Sequence, residues 1–151
     1  MKTIWSSETK DELINRIEKL SAETKGQWGK MDAGQMLWHC KYPLDVAIKN
    51  EHKENGKFIM KLFKKSLYSE KPFRKNKPTA KFLVATETKN FEDEKLQLVE
   101  KINQAHELKS RTSWNPHPFF GKFTHDQWGQ LEYKHLDHHL TQFGSVIFSI
   151  K

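Results

Sequence analysis

Apolar residues recur along this chain at intervals of three and four, and the strict alternation of a half-buried strand is scarce, so the spacing predicts helices. Thr9-Lys10-Asp11-Glu12 reads as a capping box, after which Leu13, Ile17 and Leu20 fall on one stripe with Ile14 beside it. Gly26 and Gly29 punctuate a connection around Trp28. Asp32-Ala33-Gly34-Gln35 reads as a second box, leading into Met36, Leu37, Cys40, Leu44, Ala47 and Ile48 on a helix that runs to about Asn50. Beyond Gly56 the pairs Phe58/Ile59, Leu62/Phe63 and Ser66/Leu67 step at helical intervals and predict a shorter, basic, amphipathic third helix.

Pro72 and Pro78 end that pattern, and residues 70–89 read as a long connection. Asn90 then caps a helix that buries Leu98, Val99, Ile102 and Ala105. Trp114-Asn115-Pro116-His117-Pro118-Phe119-Phe120-Gly121 cannot be helical throughout, so it is an aromatic loop. Thr124-His125-Asp126-Gln127 forms another capping box and opens a last helix reaching Gly144. The expectation is an all-α four-helix bundle with an additional short helix in the long crossover. With no repeat or separating linker, residues 1–151 form a single domain. The tail from Ser145 to Lys151 has strand-like composition, but one segment cannot make a sheet alone.

Composition changes this picture little. Ten Phe and five Trp supply large apolar pieces for a core. The single cysteine, Cys40, excludes an internal disulfide. The first residues lack the apolar run of a signal peptide, and no stretch approaches the ~18 apolar residues of a membrane span, so the expected location is cytoplasmic. The net charge of +7 is uneven. Between Lys57 and Lys77 lie Lys61, Lys64, Lys65, Lys71, Arg74 and Lys75, opposed only by Glu70. This reads as a solvated basic face, or as a surface for nucleic acid or anionic lipid, although no zinc-finger, RNP-type or recognition-helix pattern accompanies it.

The densest chemical signal is Tyr133-Lys134-His135-Leu136-Asp137-His138-His139-Leu140. His135 and His139 are one helical turn apart, so their imidazoles can converge on one ion. At ~100° per residue, Trp128, His135, His139 and Val146 share the centre of one stripe, flanked by Leu131, Gln142 and Phe143, which turns the pair inward. The spacing alone is met equally by a metal pair and by a hydrogen-bonded core pair. His138 lies at the stripe's edge, where it packs or supports a ligand. A third ligand must come from another helix. His39, amid Met36, Leu37, Trp38 and Cys40, is the best candidate, whereas His52, His106 and His125 have mostly polar neighbours. Pro43 removes the bond to the His39 carbonyl, so a kink beside His39 is expected.

Gln27-Trp28-Gly29-Lys30-Met31, Gln35-Met36-Leu37-Trp38-His39-Cys40, His117-Pro118-Phe119-Phe120-Gly121 and the run from Lys134 to Gly144 occur in the order found in a known group. The chain resembles, over nearly its whole length, a branch of the DinB-like superfamily described as domain of unknown function 1569. The resemblance implies a four-helix bundle in which one histidine from the second helix and two from the last bind a divalent metal, often in a homodimer. His39 matches the first ligand, and His135 and His139 match the pair. It also implies membership of a superfamily that includes thiol-dependent S-transferases and members without an assigned reaction.

Three imidazoles leave coordination positions free for water or substrate, as a catalytic site requires. Imidazole ligands point to one divalent ion, zinc or nickel first. The functional expectation is a metal-dependent hydrolase or thiol S-transferase acting on a small molecule, with a low-molecular-weight thiol as a candidate partner. The alternative is a non-catalytic module that uses the basic 57–77 region to engage nucleic acid or anionic surfaces. Gln142, His138 and His117 are candidates to orient ligands or substrate, with ordinary packing the competing role for each. For His117 that competing role is a local hydrogen bond beneath Trp114, Phe119 and Phe120.

Overall fold

A computed structural model describes residues 1–53, 56 and 58–147. Glu54, Asn55 and Lys57 of the predicted polar turn and basic face, and residues 148–151 of the strand-like tail, lie outside the described residues. The main helices are α1 (Ser7–Glu18), α2 (Ala33–Lys49), α5 (Phe91–His106) and α6 (His125–Gln142). The crossover carries two short helices, α3 (Phe58–Leu62) and α4 (Lys64–Tyr68), and a 3-10 turn at Lys81–Leu83. A further 3-10 turn, Glu107–Ser110, extends α5. Among the described residues there is no strand, only an isolated bridge between His117 and Gly121, so the fold is all-α.

The capping chemistry sets the helix starts. Asp32 accepts from the Gln35 amide at 2.8 Å while the Gln35 side chain takes the Asp32 amide at 3.0 Å, and Thr124 and Gln127 repeat the arrangement at 3.2 and 3.0 Å. Asn90 caps α5 through the Asp93 amide. The first helix starts a turn earlier than its sequence suggests. Ser6 is its N-cap, and Thr9 is buried inside it. Thr9 continues the inward stripe of Leu13, Arg16, Ile17 and Leu20, and only an extra turn of helix places it there.

α2 packs along α5, and α1 and α2 each pack against both α5 and α6. Their shared interior holds Leu13, Ile17, Met36, Leu37, Leu98, Ile102, Leu136 and Leu140. Each of these side chains contributes ~1.5–3 kcal/mol by leaving water. α2 runs on through Pro43 to a left-handed C-cap at Asn50. Ion pairs from Lys41 to Glu94 and from Lys101 to Asp45 fasten α2 to α5 at the rim.

Arg16 fastens α1 to the far end of α6. Its buried guanidinium donates to Asp137 Oδ1 at 2.6 Å, to Thr141 at 3.1 Å and to the Ser145 carbonyl at 2.7 Å. At the opposite end Trp5 lies flat on α6, where a Cβ on Gly129 would stand 2.4 Å from the Trp5 indole nitrogen. Trp5 donates to the His125 carbonyl, and the Ile4 amide donates to the Gly129 carbonyl.

The predicted third helix is divided. α3 and α4 meet at Phe63, and neither buries a residue fully. α4 rests on α6, where Lys134 donates to the Ser66 and Ser69 carbonyls at 2.6 and 2.8 Å and so satisfies the end of the short helix. α3 finds no comparable support: Phe58 is 78% and Leu62 67% exposed. The stripe read from the sequence thus faces outward from Phe58 to Phe63, whereas Leu67 in α4 packs against the cluster of Ala47, Phe123, Trp128 and Leu131.

Candidate metal centre

α2 brings His39 against the α6 pair. One ligand atom from each of His39, His135 and His139 lies within 4.8 Å of the other two. The His39 and His135 Nε2 atoms are 3.2 Å apart, and the His139 ring stands 4.7 Å from each of the other two ring centres. His39 and His139 are buried, while His135 keeps a partly exposed edge around a fully enclosed Nδ1.

Two of the rings have fixed orientation. His39 donates Nδ1–H to the Leu83 carbonyl at 3.0 Å, and His139 donates Nδ1–H to Gln142 Oε1 at 2.8 Å. The Gln142 amide is itself oriented, because its nitrogen donates to the Trp28 carbonyl at 2.8 Å. Gly29, at φ 82, makes the space: a Cβ there would stand 2.6 Å from the Gln142 nitrogen. With both Nδ1 atoms protonated, the Nε2 lone pairs of His39 and His139 remain for an ion. His135 can donate Nε2–H to His39 when no ion is bound, a partner on α2 and so outside the His135/His139 pair considered from the sequence.

Electrostatics favour the neutral rings that a metal needs. Burial lowers the pKa of His39 against the opposing effect of the Leu83 carbonyl, and burial lowers His139 to about 3. His135 is held well below its ordinary value by burial first and then by His139, His39 and His138. Three neutral nitrogen donors converging from two helices fit a divalent ion such as zinc or nickel.

His138 is half-buried outside the cluster. Its ring packs edge-on to Phe73 at 5.5 Å and to His139 at 5.0 Å. It lines a cleft of about 320 Å³ together with Trp28, Phe73, Lys75, Tyr133 and Lys134. The Lys75 ammonium lies over the Trp28 ring and that of Lys134 over Phe73. The cleft abuts the three-histidine cluster across the His138 ring; the three rings themselves do not line it.

His117 is buried in the aromatic group at the start of α6, its ring 5.0 Å from Phe120, 5.7 Å from Phe123 and 5.5 Å from Trp128. Its Nδ1 accepts the Phe119 amide, and burial lowers its pKa to about 4. It is not one of the three converging rings. Cys40 contacts Met36 in the core, and burial pushes its thiol pKa up. His106, set aside in the sequence for its polar neighbours, is buried and donates to the Ile4 carbonyl.

Glu132 is a residue the sequence reading missed. It lies on the inward stripe of α6 at 1% exposure, neither oxygen has a hydrogen-bond partner among the described residues, and burial pushes its carboxyl pKa up to about 8. The available signal was its spacing, four residues after Trp128 and three before His135.

The fold and site together define an all-α bundle protein with three histidines gathered between its second and last main helices. A family model described as Protein of unknown function (DUF1569) matches residues 5–145, and the chain belongs to that family. No curated protein and no solved structure matches it.

Proposed function

We propose that the protein is a DinB-like metalloprotein that binds one zinc or nickel ion through His39, His135 and His139, and acts as a hydrolase or thiol S-transferase on a small molecule. The observation carrying this reading is the convergence of three neutral imidazoles whose ligand atoms lie within 4.8 Å of one another. A bound ion would supply Lewis acidity toward water or a thiol. His39 and His139 would present Nε2 while the Leu83 carbonyl and Gln142 hold their other nitrogens. The neighbouring cleft offers Trp28, Phe73 and Tyr133 as apolar walls and Lys75 as a cation for a small substrate, with His138 between substrate and ligands.

Elemental analysis of untagged protein tests the reading. The expected result is one ion per chain in the wild type, lost in His135→Ala; metal-free wild type with an intact fold contradicts it. Light scattering tests the homodimer that belongs to the same proposal.

A second reading rests on the exposure of Phe58, Ile59, Leu62 and Phe63 beside Lys61 and Lys65. Such a face suits anionic lipid better than nucleic acid, because the apolar side chains gain by entering the acyl boundary while the lysines meet headgroups. Salt-sensitive retention on anionic vesicles, abolished by Lys61→Glu with Lys65→Glu, supports it; no retention at low salt removes it, and retention on DNA alone selects nucleic acid.

A further inference from the structure

Two of the three clustered histidines have an acceptor for Nδ1–H, Leu83 O for His39 and Gln142 Oε1 for His139, and the third has none among the described residues. The His135 Nδ1 is enclosed and unpartnered. Along the same face of α6, both oxygens of Glu132 and the indole nitrogen of Trp128 are likewise enclosed and unpartnered. Elsewhere among the described residues, the enclosed side-chain oxygens without hydrogen bonds belong to Glu12, Asp45 and Glu94, and each of those atoms lies against an arginine or lysine. The α6 group is therefore the one whose demand for partners is not met by a counter-charge.

Its chemistry is complementary. Trp128 and Glu132 are one turn apart, and Glu132 and His135 are three residues apart, so a carboxyl group is spaced about one turn from an indole N–H on one side and from the His135 imidazole on the other. When His135 gives its Nε2 lone pair to an ion, its proton must sit on Nδ1, and that proton needs an acceptor. We propose that Glu132 is the positioning residue for His135: its carboxylate accepts His135 Nδ1–H and Trp128 Nε1–H, directly after a side-chain rotation or through one bridging water, and so holds the third ligand for the ion. This rests on the metal-binding reading above. It gives all three ligands an anchored second nitrogen, and it explains why a carboxylate is kept in the interior of the bundle.

The test measures zinc affinity by chelator competition, together with the imidazole 1H–15N spectrum of zinc-loaded protein, in wild type, Glu132→Leu and Glu132→Gln. Glu132→Leu is expected to weaken zinc binding about 10- to 100-fold and to move or abolish the His135 Nδ1–H signal while that of His139 stays. Glu132→Gln, whose amide oxygen still accepts, is expected to retain the signal at a shifted position and to lose less affinity; it also carries the test should the leucine variant fail to fold. Zinc affinity or a His135 signal unchanged in Glu132→Leu, or in Glu132→Gln where that variant carries the test, overturns the proposal and leaves the three-histidine site standing. Wild type that binds neither zinc nor nickel overturns both.

Discussion

Gln142 ties His139 to Trp28, accepting the imidazole Nδ1–H at 2.8 Å with one end of its amide and donating to the Trp28 carbonyl at 2.8 Å with the other. The Gln27 amide adds a backbone bond to the Gln142 carbonyl at 2.7 Å. Two sequence motifs more than a hundred residues apart therefore meet at one ligand. Gln142→Ala removes the acceptor that fixes the His139 tautomer. Its expected effect is zinc binding weakened about 10- to 100-fold with the helical content retained, measured by chelator competition and circular dichroism. Unchanged affinity would show that Gln142 only packs.

Gly129→Ala tests the seat of Trp5. The added methyl meets the indole at 2.4 to 2.7 Å, too close for the ring to stay where it is. We expect a loss of ~1–3 kcal/mol in unfolding free energy and a change in tryptophan emission as Trp5 lifts from α6. Wild-type stability and emission would mean that the N-terminal segment does not dock on α6.

Acid should weaken the metal-free fold. His39, His117, His135 and His139 all sit below their ordinary 6.5, so the unfolded chain takes up their protons first, and their contribution is lost as pH falls from that value toward about 3. The slope is up to ~1.4 kcal/mol per pH unit for each histidine. Glu132 acts in the opposite sense: raised from 4.5 to about 8, it makes the fold less stable as pH rises through that window. These four, joined by His138, which burial also lowers, outweigh one carboxyl below 6.5; above it the histidines are neutral in both states and the effect of Glu132 remains. Urea unfolding at pH 5, 6.5 and 8 should therefore place the maximum near 6.5, and His117→Phe should flatten the acid limb. Equal stability at pH 5 and 6.5 would contradict the burial of these rings.

Much of this arrangement is legible in the sequence because it is governed by local chemistry. The reciprocal pairs Asp32/Gln35 and Thr124/Gln127 locate two helix starts, and the one-turn separation of His135 and His139 gives their common face. The start of α1 is harder, since Ser6 and Thr9 can each cap, and only the tertiary burial of Thr9 decides between them. The division at Phe63 is invisible for a related reason: helical spacing states that one face is apolar and says nothing about whether a neighbour covers it. Glu132 escapes because a charged residue on a helix ordinarily faces water. His106 escapes because its sequence neighbours are polar although its spatial neighbours are not.

The most direct test is diffraction from zinc-loaded crystals with data collected across the zinc absorption edge. The account predicts a single anomalous peak within ~2.0–2.1 Å of one ring nitrogen from each of His39, His135 and His139. A peak elsewhere, or an ion held by the α6 pair with His39 out of reach, would contradict it.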